Sequence, residues 1–171
     1  MPHKPPHPPF REVAEKHLDF VYQICLRMLG DPTEAEDAAQ ETFLSALRAW
    51  KTFRGQAQVS TWLYRIAVNA CLQRLRRRQR EQWLSDAGQD IPTWQGDPQR
   101  AVERSELLRR IQEGLARLPP HLRVAVVLRD VQGLSTEEAS KIVGVSLPAF
   151  KARLHRGRVL LRQFLEPFLH P

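Results

Sequence analysis

With only two cysteines in 171 residues, Cys25 and Cys71, the chain has neither the density of a disulfide scaffold nor a CxxC pair for zinc or redox chemistry. Both fall inside helical patterns and read as reduced core residues. The six histidines are scattered, His3 and His7 near one end and His170 at the other, so no metal-ligand spacing emerges. There is no Walker loop, no dinucleotide glycine fingerprint, and no Ser/His/Asp or paired-carboxylate constellation in a recognisable setting. No cofactor, metal or enzymatic activity is expected. Nor does any apolar run approach the ~20 residues of a membrane-spanning helix. Residues 2–9, Pro-His-Lys-Pro-Pro-His-Pro-Pro, lack the apolar stretch of a signal peptide, so a cytoplasmic protein without membrane insertion is expected, its residues 1–9 a disordered or polyproline-like arm. Acid is in deficit, 19 Asp and Glu against 26 Lys and Arg. The net charge of +7 favours a polyanionic partner, nucleic acid ahead of a membrane surface.

Helical periodicity is strong over residues 10–80 and again over 101–171. Residues 81–100 carry Gly88, Pro92, Gly96 and Pro98 with no sustained period and read as a flexible linker. The expected fold is therefore all-α, two small helical domains joined by a linker. Trp83 and Trp94 in the linker mark either a docking strip or residues that pack back on a domain.

In the first block, Leu18, Val21, Tyr22, Cys25 and Met28 or Leu29 make an inward stripe that Gly30-Asp-Pro32 ends. The next helix, residues 33–50, repeats Ala35, Ala38, Ala39, Thr42, Phe43, Ala46, Leu47 and Trp50 at spacings of 3 and 4, small residues first. Its opposite face presents Asp37, Gln40, Glu41, Leu44 and Arg48, an acidic patch with a leucine in a basic protein. Such a face is either simply solvated or meets a basic protein surface. After a loop with one glycine, Ser60 caps a third helix, residues 61–79, with Arg65, Asn69 and Arg76 along one edge. Asn69, if buried, must bond backbone or offer its amide to a ligand. Arg74, Arg76, Arg77, Arg78 and Arg80 exceed what the helix dipole needs, and phosphate binding accounts for them better.

Residues 134–158 read as a helix-turn-helix. Ser135 and Glu138 form a capping box, Ala139, Ile142 and Val143 the buried stripe, and Gly144 the left-handed stop. Ser146 caps a second helix with Leu147, Phe150, Leu154, Gly157, Leu161 and Phe164 or Leu165 inward. Lys151, Arg153, Arg156, Arg158 and Arg162 occupy the remaining arc, and small Ala149 and Ala152 let its front approach a groove. A plain helical hairpin with a solvated basic face is the bland alternative.

The segments Asp37-Ala-Ala-Gln-Glu-Thr-Phe43, Phe53-Arg-Gly55, Ser60-Thr-Trp-Leu-Tyr-Arg-Ile-Ala-Val-Asn69 and the helix-turn-helix together resemble bacterial sigma factors of the extracytoplasmic-function (ECF) class. The resemblance implies a sigma region 2-like domain over 10–80 and a region 4-like domain over 101–171. It also implies an initiation factor that binds core RNA polymerase, through Asp37, Gln40, Glu41, Leu44 and Arg48 on the clamp helices of the beta-prime subunit. Capture of a flipped minus-10 base is implied for Phe53, Arg54, Gly55, Arg65, Asn69 and Arg76. Trp62 and Tyr64 either stack there or pack, with packing the expected role of Trp62. Reading of the minus-35 promoter DNA falls to Pro148, Ala149, Lys151, Ala152, Arg153, Arg156 and Arg158, and an anti-sigma factor is the family's usual regulator. Pro148-Ala-Phe150 replaces the Gly-Thr-Val of many relatives and Ala152 a frequent serine, so upstream preference is expected to differ. With the sequence ending soon after Leu169, no added C-terminal regulatory domain is expected. The rivals are a stand-alone helix-turn-helix regulator and an RNA-binding adaptor. The adaptor lacks the aromatic platforms or glycine clamp of the usual modules.

Overall fold

The computed structural model describes residues 7–55, 57–85 and 102–170, and these form helices and turns with no strand among them. Helix α1 (Phe10–Leu29) stops at Gly30, whose φ of 76° takes the left-handed conformation while its N–H bonds the Leu26 carbonyl at 2.8 Å. Asp31 then caps α2 (Pro32–Ala49), accepting from the Thr33 N–H at 2.8 Å and the Glu34 N–H at 3.3 Å, with Pro32 at the first helical position. Ala35, Ala38 and Ala46 are fully buried, so α2 lies close on its neighbours. A 3-10 turn (Trp50–Thr52) leads to α3 (Val59–Ser85).

The second block begins with α4 (Val102–Arg117) and α5 (Pro120–Val126), which runs on through a π-helical turn (Val127–Val131). Helices α6 (Thr136–Val143) and α7 (Leu147–Leu169) follow. Gly157 of α7 sits where an added Cβ would lie 2.7 Å from Val126 Cγ2 and 3.2 Å from the Leu122 carbonyl oxygen, so the glycine permits the α5–α7 approach. Phe150 and Leu154 of α7 are buried in the core.

Several expectations shift. Leu18 and Leu47, assigned to inward stripes, are 52% and 51% exposed, because Ile24 takes the core position on α1 and the alanines with Thr42 fill the inner face of α2. Helix α3 starts at Val59, with the Gln58 carbonyl accepting from Trp62, so Ser60 lies inside it rather than capping it. It also continues to Ser85, into the stretch read as linker. Trp83 at its end is 89% exposed and not packed back. Trp94, the rest of the linker reading and residues 1–6 of the arm lie outside the described residues.

The two blocks are pressed together around one contiguous buried cluster. Arg123 of α5 is the polar centre of the seam: it donates to the carbonyls of Met28 at 2.6 Å, Ala116 at 2.9 Å and Leu118 at 3.0 Å. Carbonyl dipoles thus stand in for a carboxylate, and burial pushes the guanidinium pKa down to about 10. Gln112 of α4 donates to the Arg27 carbonyl at 3.2 Å, and Gln132 to that of Phe20 at 3.3 Å. Of the carbonyls that the end of α1 leaves free, as any helix does, those of Arg27 and Met28 are answered from the second block.

Candidate polymerase and nucleic-acid interface

The exposed face of α2 forms a shallow depression lined by Asp37, Gln40, Glu41, Leu44, Ser45 and Arg48, so all five residues expected there come together. Glu41 is half-buried, with its Oε2 3.0 Å from Arg74 Nη2 of α3. Beside the depression, between α1 and α2, runs an apolar groove of about 770 Å³ with Phe10, Leu18, Tyr22, Phe43, Leu44 and Leu47 in its walls. The two leucines that left the core stripe thus line one hydrophobic surface.

A second cavity, of about 430 Å³, opens where the loop before α3 meets that helix. It is lined by Ala49, Thr52, Phe53, Arg54, Ala57, Thr61, Trp62 and Arg65. Gly55, with a φ of 71°, turns the loop over it. One wall is aromatic: Phe53 and Trp62 line it with centroids 4.9 Å apart, and Trp50, outside the lining, lies nearly parallel to Phe53 at 5.6 Å and 5.9 Å from Trp62. Trp62 both packs on these rings and lines the cavity. Tyr64 turns inward, stacked on Phe20 at 4.5 Å with its hydroxyl 2.8 Å from His17 Nδ1, and burial pushes its pKa up to about 12. It takes no part in the cavity.

Asn69 is exposed on α3, which removes the reading of it as a satisfied core amide and leaves the amide open to a ligand. Neither it nor Arg76, also exposed, lines the cavity. Arg65 does, and its guanidinium also donates to the Lys141 carbonyl of α6, so the second block lies against this edge. The arginine run divides. Arg74 pairs with Glu41, and Arg78 with Glu34 and the Leu29 carbonyl, which ties α3 to α2 and the end of α1 rather than to phosphate. Arg76, Arg77 and Arg80 face solvent.

The helix-turn-helix forms as its caps require. Ser135 accepts from the Glu138 N–H at 3.1 Å, the first half of the expected box, Gly144 adopts a φ of 81°, and Ser146 accepts from Ala149 at 3.3 Å. On α7, Pro148, Lys151, Ala152 and Arg156 are exposed, and Ala149 and Arg153 half-buried. Arg158 is exposed but bound to Asp130, Nη2 to Oδ1 at 2.6 Å and Nε to Oδ2 at 2.8 Å, a pairing that raises its pKa. Arg129, Thr136, Lys151, Leu154, His155 and Arg158 line a small basic depression. Arg129, Thr136 and His155 were missed from the sequence. Only the spacing of Lys151, His155 and Arg158 along one helical face signalled the place.

Residues 13–81 match the family model for sigma-70 region 2, and residues 108–161 that for sigma-70 region 4. Over 165 residues the chain is 36% identical to the ECF RNA polymerase sigma factor SigW of Bacillus subtilis, covering 91% of this chain and 88% of that protein. The chain belongs to the ECF sigma factors. It is also 36% identical over 160 residues to SigE of Mycolicibacterium smegmatis, where the match spans 92% of this sigma factor but only 62% of the relative. Against the RNA polymerase sigma-H factor of Pseudomonas aeruginosa the identity is 33%, over 90% and 84% of the two chains. Among solved structures, CnrH in complex with the cytosolic domain of CnrY superposes with a TM-score of 0.65 at 26% identity, over 92% of this chain and 88% of that one. The sigma factor RpoE in complex with the anti-sigma factor NepR from Bartonella quintana shares the fold, with a TM-score of 0.76 at 24% identity over 92% and 96%. In this sigma factor the region 2 match covers the α2 face and the aromatic cavity, and the region 4 match covers the helix-turn-helix. No described helix is long and apolar enough to cross a membrane.

Proposed function

We propose that this sigma factor docks on core RNA polymerase through Asp37, Gln40, Glu41, Leu44 and Arg48, meeting the clamp helices of the beta-prime subunit. It then initiates transcription at promoters read by both blocks. The cavity walled by Phe53, Arg54 and Arg65 takes a flipped base of the melted minus-10 strand, with Asn69 and Arg76 beside the strand. Unstacking a base costs a few kcal/mol, which an enclosed aromatic wall and hydrogen bonds to the base edge offset. Helix α7 reads the minus-35 element through Lys151, Arg153 and Arg156, with its small front at Ala149 and Ala152 admitted to the major groove. The factor performs no catalysis itself and works in the cytoplasm, where an anti-sigma factor holds it until needed.

The observation that carries this reading is the acid-and-leucine depression on α2, beside an apolar groove. An autonomous operator-binding protein has no use for it. The two promoter elements lie about 25 base pairs apart, roughly 85 Å of duplex. The α3–α6 contact must therefore open before both are read. Reconstituted transcription on genomic fragments, with core alone as control, tests the proposal. New start sites that depend on the factor are expected, and absence of core binding with no new starts would refute it. Tight footprints without polymerase, on half-sites one helical turn apart, would instead favour the stand-alone regulator.

A further inference from the structure

We infer that His7, at the root of the proline-rich arm, is a positioning residue that sets how sharply the aromatic cavity discriminates the base it holds. The inference rests on the base-capture reading of that cavity. The His7 ring lies 5.5 Å from both Trp50 and Phe53, tilted 57° and 54° to them, and so bridges the pair whose outer member walls the cavity. Its placement is built into the chain. Pro8 and Pro9 separate it from α1, Pro9 holds φ −53° and ψ 137°, and the Pro9 carbonyl accepts from the Glu12 N–H at 3.0 Å. Two prolines make a short strut with little freedom to lose, rooted in a helix whose first residue, Phe10, itself reaches Trp50 at 5.7 Å.

Phe53 needs such support. It follows a 3-10 turn in a loop, is only half-buried, and its backbone N–H makes a long 3.3 Å bond to the Trp50 carbonyl. A wall free to swing accepts a base and a void almost equally, because what the base gains in stacking is spent on ordering the ring. A ring fixed from behind by His7 meets the base already in place. His7 is exposed and outside the buried core, so its loss should leave the fold intact.

The test uses the full-length factor on core polymerase and single-stranded non-template oligonucleotides from a promoter mapped by transcription, each with one abasic position. Wild type should show one position where an abasic site weakens binding strongly. His7→Ala should shrink that intact-versus-abasic ratio about two- to tenfold, the range of one aromatic pair, with core affinity and minus-35 duplex binding unchanged. His7→Phe should restore the ratio and His7→Lys should not. An unchanged ratio in His7→Ala, or rescue by lysine as good as by phenylalanine, would overturn the inference while leaving the cavity reading intact. No sensitive position in wild type would remove the cavity reading, and the role of His7 with it.

Discussion

Arg65 of α3 donates a hydrogen bond to the main-chain carbonyl of Lys141 in α6, 76 positions away along the chain. One side chain therefore has two duties: it lines the cavity proposed for the minus-10 base, and it fastens the helix-turn-helix block over that edge. A charge-assisted bond at an exposed site contributes about 1 kcal/mol, roughly fivefold in an equilibrium. Arg65→Ala should raise the open fraction of the free factor by about that factor, read by energy transfer between dyes on α2 and α7. Promoter opening should fall all the same. If energy transfer is unchanged in the variant, Arg65 does not hold the closed form.

Charge reversal on α2 should separate binding from folding. Asp37 is exposed in the depression, so Asp37→Lys should weaken core binding roughly tenfold without moving the melting temperature. Glu41 also pairs with Arg74, whose Nε is buried without a partner. Glu41→Lys sets two cations together and should lower stability by about 1 kcal/mol, some 2–4 °C, besides weakening core binding. Thermal melts beside a core-affinity titration check both, and equal melting losses would mean that the Asp37 effect is misfolding.

Local features were legible in the sequence because their causes are local. Ser135, Gly144 and Ser146 act on backbone within a few residues, and the alanine stripe of α2 shows its period directly. The seam was not legible. Arg123 and Gln112 look like surface residues of amphipathic helices, and only the fold brings the carbonyls of Arg27 and Met28 to them. For the same reason five arginines within seven residues read alike, although Arg74 and Arg78 face α2 and the end of α1. The α2 patch was visible as a face, whereas the cavity wall depends on Trp50, Phe53 and Trp62 converging from a turn, a loop and a helix.

Arg158 should behave differently from its neighbours on α7. With two of its three guanidinium nitrogens held by Asp130 it is less free for phosphate, whereas Arg156 is exposed and Arg153 half-buried, neither in such a pair. Arg153→Ala and Arg156→Ala should each lower the salt dependence of binding to upstream duplex by about one unit of slope. Arg158→Ala should change it less, and Asp130→Asn, by releasing the guanidinium, should steepen it. Binding of the holoenzyme to a minus-35 duplex across a salt series reads all four. A full unit lost in Arg158→Ala would show that the ion pair exchanges for DNA.

The His17–Tyr64 contact should bound stability at both ends of the pH scale. Burial, then the nearby Lys16 charge, lowers the His17 pKa below 6.5, so the folded state binds that proton more weakly than the unfolded chain. The stability this contributes is present above pH 6.5 and is lost as pH falls through the lowered folded value. Tyr64 acts oppositely: its pKa is raised from 10 to about 12, so its contribution is full below pH 10 and is lost as pH rises from 10 to 12. Urea midpoints from pH 5 to 11 should form a plateau with falling shoulders. His17→Asn should flatten the acid shoulder only, and an unchanged acid shoulder would assign it to other groups.

Gly157 gives the sharpest test of the packing behind the recognition helix. In an exposed helix Gly→Ala stabilises by about 1 kcal/mol. Here the new Cβ would meet Val126 Cγ2 at 2.7 Å and the Leu122 backbone oxygen at 3.2 Å, and the backbone atom can yield only if α5 moves away from α7. Overpacking of about 1–3 kcal/mol should therefore outweigh the propensity gain and lower the melting temperature. Gly114→Ala is the matched control. Its Cβ would meet only side-chain atoms, Leu161 Cδ1 at 2.6 Å and Phe164 Cδ1 at 2.8 Å, both half-buried, so side chains rather than backbone must give way. It should cost less than Gly157→Ala. Because α5 leads directly into the turn before α6, the Gly157 variant should also tilt α7 against the first helix of the motif and reduce dependence on the minus-35 element, an effect Gly114→Ala should lack. A higher melting temperature in Gly157→Ala would mean that α5 and α7 do not approach this closely.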